Sequence, residues 1–138
     1  MAILIVVGVL VVALVIAMIV AVARDSGPSP ADVAIGYEHA WDRLDFEVVY
    51  KLSGDELHDG LNRGDYVAAK REAYHAQGQL GHLMAHAAVR EETVVGDSAR
   101  IYTRLTLRDG TTVENRVLLR RRHEDWVVVG YDLRSAAT

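Results

Sequence analysis

Three patterns of hydrophobic and polar positions succeed one another along the chain. From Ile3 to Ala23 roughly 21 residues carry no charge, Pro, Asn or Gln. As a helix rising about 1.5 Å per residue, such a run matches the roughly 30 Å hydrocarbon core of a bilayer. A secretory signal would have a charged start and an apolar stretch of about 7–15 residues. The pattern therefore predicts a transmembrane anchor over residues 1–23 in preference to a cleaved leader, although Ala21 and Ala23 would also fit the spacing of a cleavage site. Arg24 is the Lys or Arg nearest to either end of the run, which favours a cytoplasmic position for the rest of the chain.

Residues 24–30 read as a linker rich in breakers. The period then becomes helical. Ser29 is set to cap, Pro30 to take the first helical position and Asp32 to close a capping box. Val33, Tyr37, Trp41 and Leu44 come next at helical spacing. Asp45 predicts the cap of a second short helix carrying Phe46, Val49, Tyr50 and Leu52, which Ser53-Gly54 ends. A helical turn or two over Asp55 to Leu61, and a longer helix from Tyr66 to Gln77 capped by Asp65, complete the helical half.

From Gly81 the period drops to two. His82 to Val95 supplies a strand with a break near Glu91-Glu92. Ile101, Thr103, Leu105 and Leu107 then alternate with Arg100, Tyr102, Arg104 and Arg108, and Asp109-Gly110 marks a hairpin. Val113, Val117 and Leu119 share one face of the next strand. His123-Glu124-Asp125 makes a turn into the last strand, Trp126 to Leu133. Helices and strands are segregated, so the fold class is α+β. A single N-terminal transmembrane helix is followed by a domain over residues 31–138, in which three or four helices pack on an antiparallel sheet of about four strands.

Composition narrows the chemistry. The 138 residues include no cysteine, which excludes disulfides, thiolate metal sites and a Cys nucleophile. A net charge of −4 argues against a nucleic-acid partner, which calls for a strongly basic surface. His82 and His86 are four apart, but the Glu and the third ligand of a zinc motif are missing, so no metal site is expected.

The order of these elements resembles the NTF2-like superfamily, which includes the SnoaL-like proteins. The likeness rests on the stretch WDRLDFEVVYKL at the first helix break, the strand opened by Gly96-Asp97 and the closing Trp126-Val127-Val128 strand, and it covers roughly Ala31 to Leu133. It implies a cone-shaped domain over a curved sheet. The short strand usual between the second and third helices has no counterpart in the pattern. Some enzymes of the superfamily place an Asp or His with a Tyr at the bottom of an apolar pocket. Here Asp42 and Asp45 with His39 nearby, and His86 and Asp132 in the strands, are the acid/base candidates. No base with an orienting partner emerges, so neither a catalytic residue nor a cofactor site is assigned.

Two groups of residues remain as candidate sites. Tyr37, Trp41, Phe46, Tyr50, His86 and Trp126 are set to line a pocket or to fill the core. Arg100, Arg104 and Arg108 share a strand face beside Arg116, Arg120 and Arg122, forming either a partner-binding stripe or a solvated outer face that blocks edge pairing. The chain as a whole is similar to small single-span proteins of high-GC actinobacteria, some of which are accessory subunits of the cytochrome bcc–aa3 respiratory supercomplex. The resulting expectation is a non-catalytic, membrane-anchored accessory or assembly protein that docks on an integral-membrane complex. The alternative is a small apolar ligand-binding domain, or less readily an isomerase or hydratase, that uses the cone as a pocket. An interior plugged by Tyr37, Trp41 and Trp126 would favour the first; an open apolar cavity with one or two inward polar groups would favour the second.

Overall fold

The computed structural model describes residues 2–24, 27–76 and 81–134. Part of the expected linker, Gln77 and the last four residues lie outside that range. Helix α1, Ala2–Arg24, is exposed all round over residues 2–20. By length and composition its stretch Ala2–Val20 is apolar enough to cross a membrane.

Helix α2, Pro30–Asp42, begins with the expected capping box. The Asp32 N–H donates to Ser29 Oγ (3.1 Å) and the Ser29 N–H donates to Asp32 Oδ2 (3.2 Å). Its end is a paired closure in which the Asp45 N–H reaches the Ala40 carbonyl (2.9 Å) and the Leu44 N–H reaches that of Trp41 (3.1 Å). Leu44 holds the left-handed position of this closure at φ 54°, a place usually given to glycine. The bend lets Asp45 Oδ1 accept from the Val48 N–H and cap α3, Phe46–Leu52.

After α3 the chain touches the sheet at one point. Ser53 forms a single parallel bridge with Val128, and the Gly54 N–H donates to the Val128 carbonyl at 2.7 Å. That bridge stands where the sequence shows no short strand. The turn after it is one short 3-10 segment, Asp55–Leu57, not the longer Asp55 to Leu61 stretch expected. Helix α4, Arg63–Ala76, also starts earlier than expected. Its cap is Asn62, whose Oδ1 accepts from the Asp65 N–H (2.9 Å), while Asp65 lies within the first turn and accepts from Asn62 Nδ2.

The sheet is an antiparallel meander of β1 (Met84–Val95), β2 (Ser98–Leu107), β3 (Thr112–Arg122) and β4 (Asp125–Arg134), ordered as in the chain. Gly96 at φ 57° and Gly110 at φ 86° make the turns into β2 and β3. Register shifts between Met84 and His86, between Val89 and Glu91, and across Leu118–Leu119 bend the sheet. The second is the break expected near Glu91-Glu92. The first corrects one expectation. It absorbs Ala85 and reverses the alternation, so His86 pairs with outward-facing Thr106 and is exposed instead of facing the interior.

The core lies between the concave face and the helices. Val33, Ala34 and Tyr37 of α2, Phe46 and Val49 of α3, and Tyr66 and Val67 of α4 pack with Ile101, Val117, Leu119 and Val128. Ile101, Val117 and Val128 have no exposed surface. Burial of each such side chain stabilises the fold by about 1.5–3 kcal/mol relative to leaving it in water.

Candidate functional site

Beside this apolar core, α2 carries one charge inward. Glu38 is only 2% exposed, a position that strongly disfavours a carboxylate without partners. Three elements of the sheet supply them. Thr103 Oγ1 of β2 donates to Glu38 Oε1 (2.7 Å), and Asn115 Nδ2 of β3 donates to both carboxylate oxygens (3.0 and 3.2 Å). The Tyr131 hydroxyl of β4 donates to Oε2 (2.7 Å) and itself accepts from Asn115 Nδ2 (2.7 Å). Burial, with the Glu38 charge beside it, pushes the Tyr131 hydroxyl above the ordinary tyrosine range and holds it in its donor form.

This network fixes the orientation of the Asn115 amide. Turning the amide over would set its oxygen against the carboxylate, so Nδ2 faces Glu38 and Oδ1 faces away. Asn115 is fully buried, and Oδ1 has no hydrogen-bond partner among the described residues. The indole N–H of Trp41 also lacks a bond of normal geometry, with the Tyr37 hydroxyl as its polar neighbour.

The cluster borders a cavity of about 690 Å³ between α2, the start of β1 and the concave sheet. Leu44, Leu83, Met84, Leu105, Leu107 and Val113 give it apolar walls; Trp41, Tyr74 and Tyr131 give it aromatic ones. Glu38 and Asn115 are its buried polar groups. The volume falls in the range of about 300–1,000 Å³ typical of small-molecule sites.

The predicted aromatic group is split by the structure. Trp41 lines the cavity. Tyr37, Phe46 and Trp126 are buried in the core, and half-buried Tyr50 stacks on His58. Tyr37 sits edge-on to Trp41 and to Tyr131, bracing the cavity from behind. The acidic members of the acid/base candidates have structural partners. Asp42 Oδ1 accepts from the Leu83 and Met84 N–H groups, both at 2.9 Å, and so ties the entry of β1 to the end of α2. Asp45 caps α3. Asp132, at the edge of the cavity, is exposed and ion-paired with Arg116.

The arginine stripe is divided too. Glu114 joins Arg90 (2.6 Å) and Arg104 (3.0 Å), Arg116 meets Asp132, and Arg122 meets Glu56. These partners cancel much of the positive field expected there. They also hold the Glu114 and Glu56 carboxyls below the usual range, chiefly through the hydrogen bonds from Arg104 and Arg122. Arg100 and Arg120 are exposed on the same outer face, beside Leu118 and Ser98 in register. Arg108 leaves the stripe: it comes just after β2, and its N–H donates to the Leu83 carbonyl at the mouth of the cone.

Sequence reasoning missed Glu38 and Asn115. The signal was present, because Asn115 is a polar residue at an inward position between Val113 and Val117, as Thr103 is between Ile101 and Leu105. Among the described residues, no three His, Asp or Glu side chains come together as a metal ion would require.

No protein-family model and no curated protein matches the chain. Solved structures do. A Campylobacter jejuni protein described as a candidate NTF2-like transpeptidase superimposes with a TM-score of 0.52 at 18% identity, covering 73% of this chain and 97% of its own. An NTF2-like protein of unknown function from Shewanella baltica gives 0.51 at 14% identity, covering 78% of this chain and 92% of its own. At such identities the likeness concerns the fold: the domain after α1 has the NTF2-like architecture.

Proposed function

We propose that this chain is a membrane-tethered binding domain whose cone takes a small, mostly apolar molecule bearing a hydrogen-bond donor. The observation that carries the reading is the apolar and aromatic cavity of about 690 Å³, which has the polar cluster of Glu38, Asn115 and Tyr131 along one wall. Asn115 Oδ1 has no accessible surface, so a ligand hydroxyl or amine would satisfy that last open position of the network only after a small shift of the cavity wall. Glu38 already accepts from three side chains, an arrangement that suits anchoring the donors better than abstracting a proton from a substrate. Binding without catalysis is the role the site supports. A cytoplasmic position for the domain is favoured by Arg24.

The test is a thermal-shift screen of the full chain in phosphatidylcholine nanodiscs against small apolar alcohols and amines. A ligand at a hundred times its Kd should add about 2.7 kcal/mol of stability. A Val113→Phe variant, which fills the cavity, should fold and lose that response. If no compound raises Tm in the parent chain, the reading fails.

A second reading has one observation in its favour: α1 is apolar on every side, so it can pack on other membrane spans as readily as on lipid. An accessory subunit of an integral-membrane complex, such as the actinobacterial bcc–aa3 respiratory supercomplex, would use it so. Stoichiometric co-purification with membrane subunits in mild detergent would support this role, and recovery of the chain alone would remove it.

A further inference from the structure

A second hollow, of about 940 Å³, adjoins the cavity and shares Leu44, Tyr74 and Leu83 with it. Its character is different. Arg71 and His75 of α4, His82 before β1 and Arg108 after β2 line it, with Glu72 as its acid. Among the described residues neither Arg71 nor Arg108 has a carboxylate partner, whereas Arg90, Arg104, Arg116 and Arg122 all do. The hollow thus offers a carboxylate or phosphate two exposed guanidinium groups that have no carboxylate partner among the described residues.

Resting on the cone reading, we propose that the ligand is an amphiphile: an apolar body in the cavity and an anionic head, carboxylate or phosphate, at Arg71 and Arg108. The charges around the two hollows set its direction. Of the three carboxylates that line the cavity, Asp132 is paired with Arg116 and Asp42 accepts from the Leu83 and Met84 N–H groups, whereas Glu38 has only neutral donors and places a negative charge at the inner wall, which repels an anionic head from that end. The guanidinium groups attract the head at the other. The shared walls are Leu44, Leu83 and Tyr74, so a chain running from one hollow to the other stays on apolar surface.

Tryptophan fluorescence gives a direct test, because Trp41 lines the cavity and the chain's second tryptophan, Trp126, lines neither hollow. In a Trp126→Phe background, the full chain in phosphatidylcholine nanodiscs is titrated with a mid-chain brominated ω-hydroxyoctanoate and with the matching brominated octanediol as the alcohol, so that both carry the same terminal donor. The acid should quench Trp41 at about tenfold lower concentration, the size of one charge-assisted contact. Arg71→Gln with Arg108→Gln should remove that advantage and leave quenching by the alcohol unchanged. Equal midpoints for acid and alcohol in the parent would overturn the anionic head while the cone reading stands. Quenching by neither would overturn the cone reading as well. If inorganic phosphate at matched concentration displaces the acid, the hollow is a free-anion site and the amphiphile proposal falls.

Discussion

The two faces of the sheet solve the same problem in opposite ways. On the concave face the Glu38 carboxylate is held by a hydroxyl, an amide and a phenol, all neutral. On the convex face the Glu114 carboxylate is held by two guanidinium groups. Neutral donors satisfy the oxygens without cancelling the charge, so the cavity keeps a negative wall. Arginines cancel the charge, so the outer face keeps little net field of its own. A buried site with a residual charge can select and orient a ligand. A paired surface mainly keeps the sheet solvated and its edges unattractive to other strands.

The difference is open to test. Glu38→Ala would leave the Thr103, Asn115 and Tyr131 donors without their acceptor inside the core, a loss of about 2–4 kcal/mol. In a domain of this size that lowers Tm by at least about 10 °C, readable by circular dichroism. Glu38→Gln should cost less, because the Asn115 amide can turn over and present its spare oxygen to the new NH2 group. Thr103→Val keeps the shape and removes a single donor to a charged acceptor, so about 1–2 kcal/mol should be lost. On the other face, Glu114→Gln should move Tm only slightly, and the difference from the parent should shrink as salt is raised. A large effect there, or a negligible one for Glu38→Ala, would undo the contrast.

Acid sharpens it from the other side. Glu114 and Glu56 lie below the ordinary glutamate value of 4.5 in the folded chain, and Asp109 lies below the ordinary aspartate value of 3.8. Depressed carboxyls contribute stability in full above their unfolded pKa values and lose it as pH falls through the folded ones. Tm should therefore hold down to about pH 5 and decline below it, with a shallower decline in Glu114→Gln. A Tm that rises on acidification would contradict the pairing.

Where the pattern was legible, the determinants are local. The Ser29 capping box, the Asp45 cap and the glycine turns each lie within a few residues, so spacing alone reveals them. The Asn62 cap was missed because Asp65 three positions later is an equally good capper by type. Leu44 at positive φ was not legible either, since its left-handed conformation is stabilised by packing against the core and not by residue type. The polar cluster joins Glu38 to residues 65, 77 and 93 positions away, beyond the reach of any periodicity. The bulge at Ala85 shows how little is needed to mislead: one extra residue turned His86 from the inner face to the outer.

Only five residues separate Arg24 at the end of α1 from Pro30 at the start of α2. Fully extended they span at most about 20 Å. With α1 in a bilayer, the domain is therefore on a leash shorter than the roughly 30 Å width of a small domain. So tethered, it would scan the membrane surface in two dimensions. For any molecule dissolved in lipid, the concentration that sets occupancy of the cone would be that of the bilayer, so an affinity too weak to matter in water would be sufficient there.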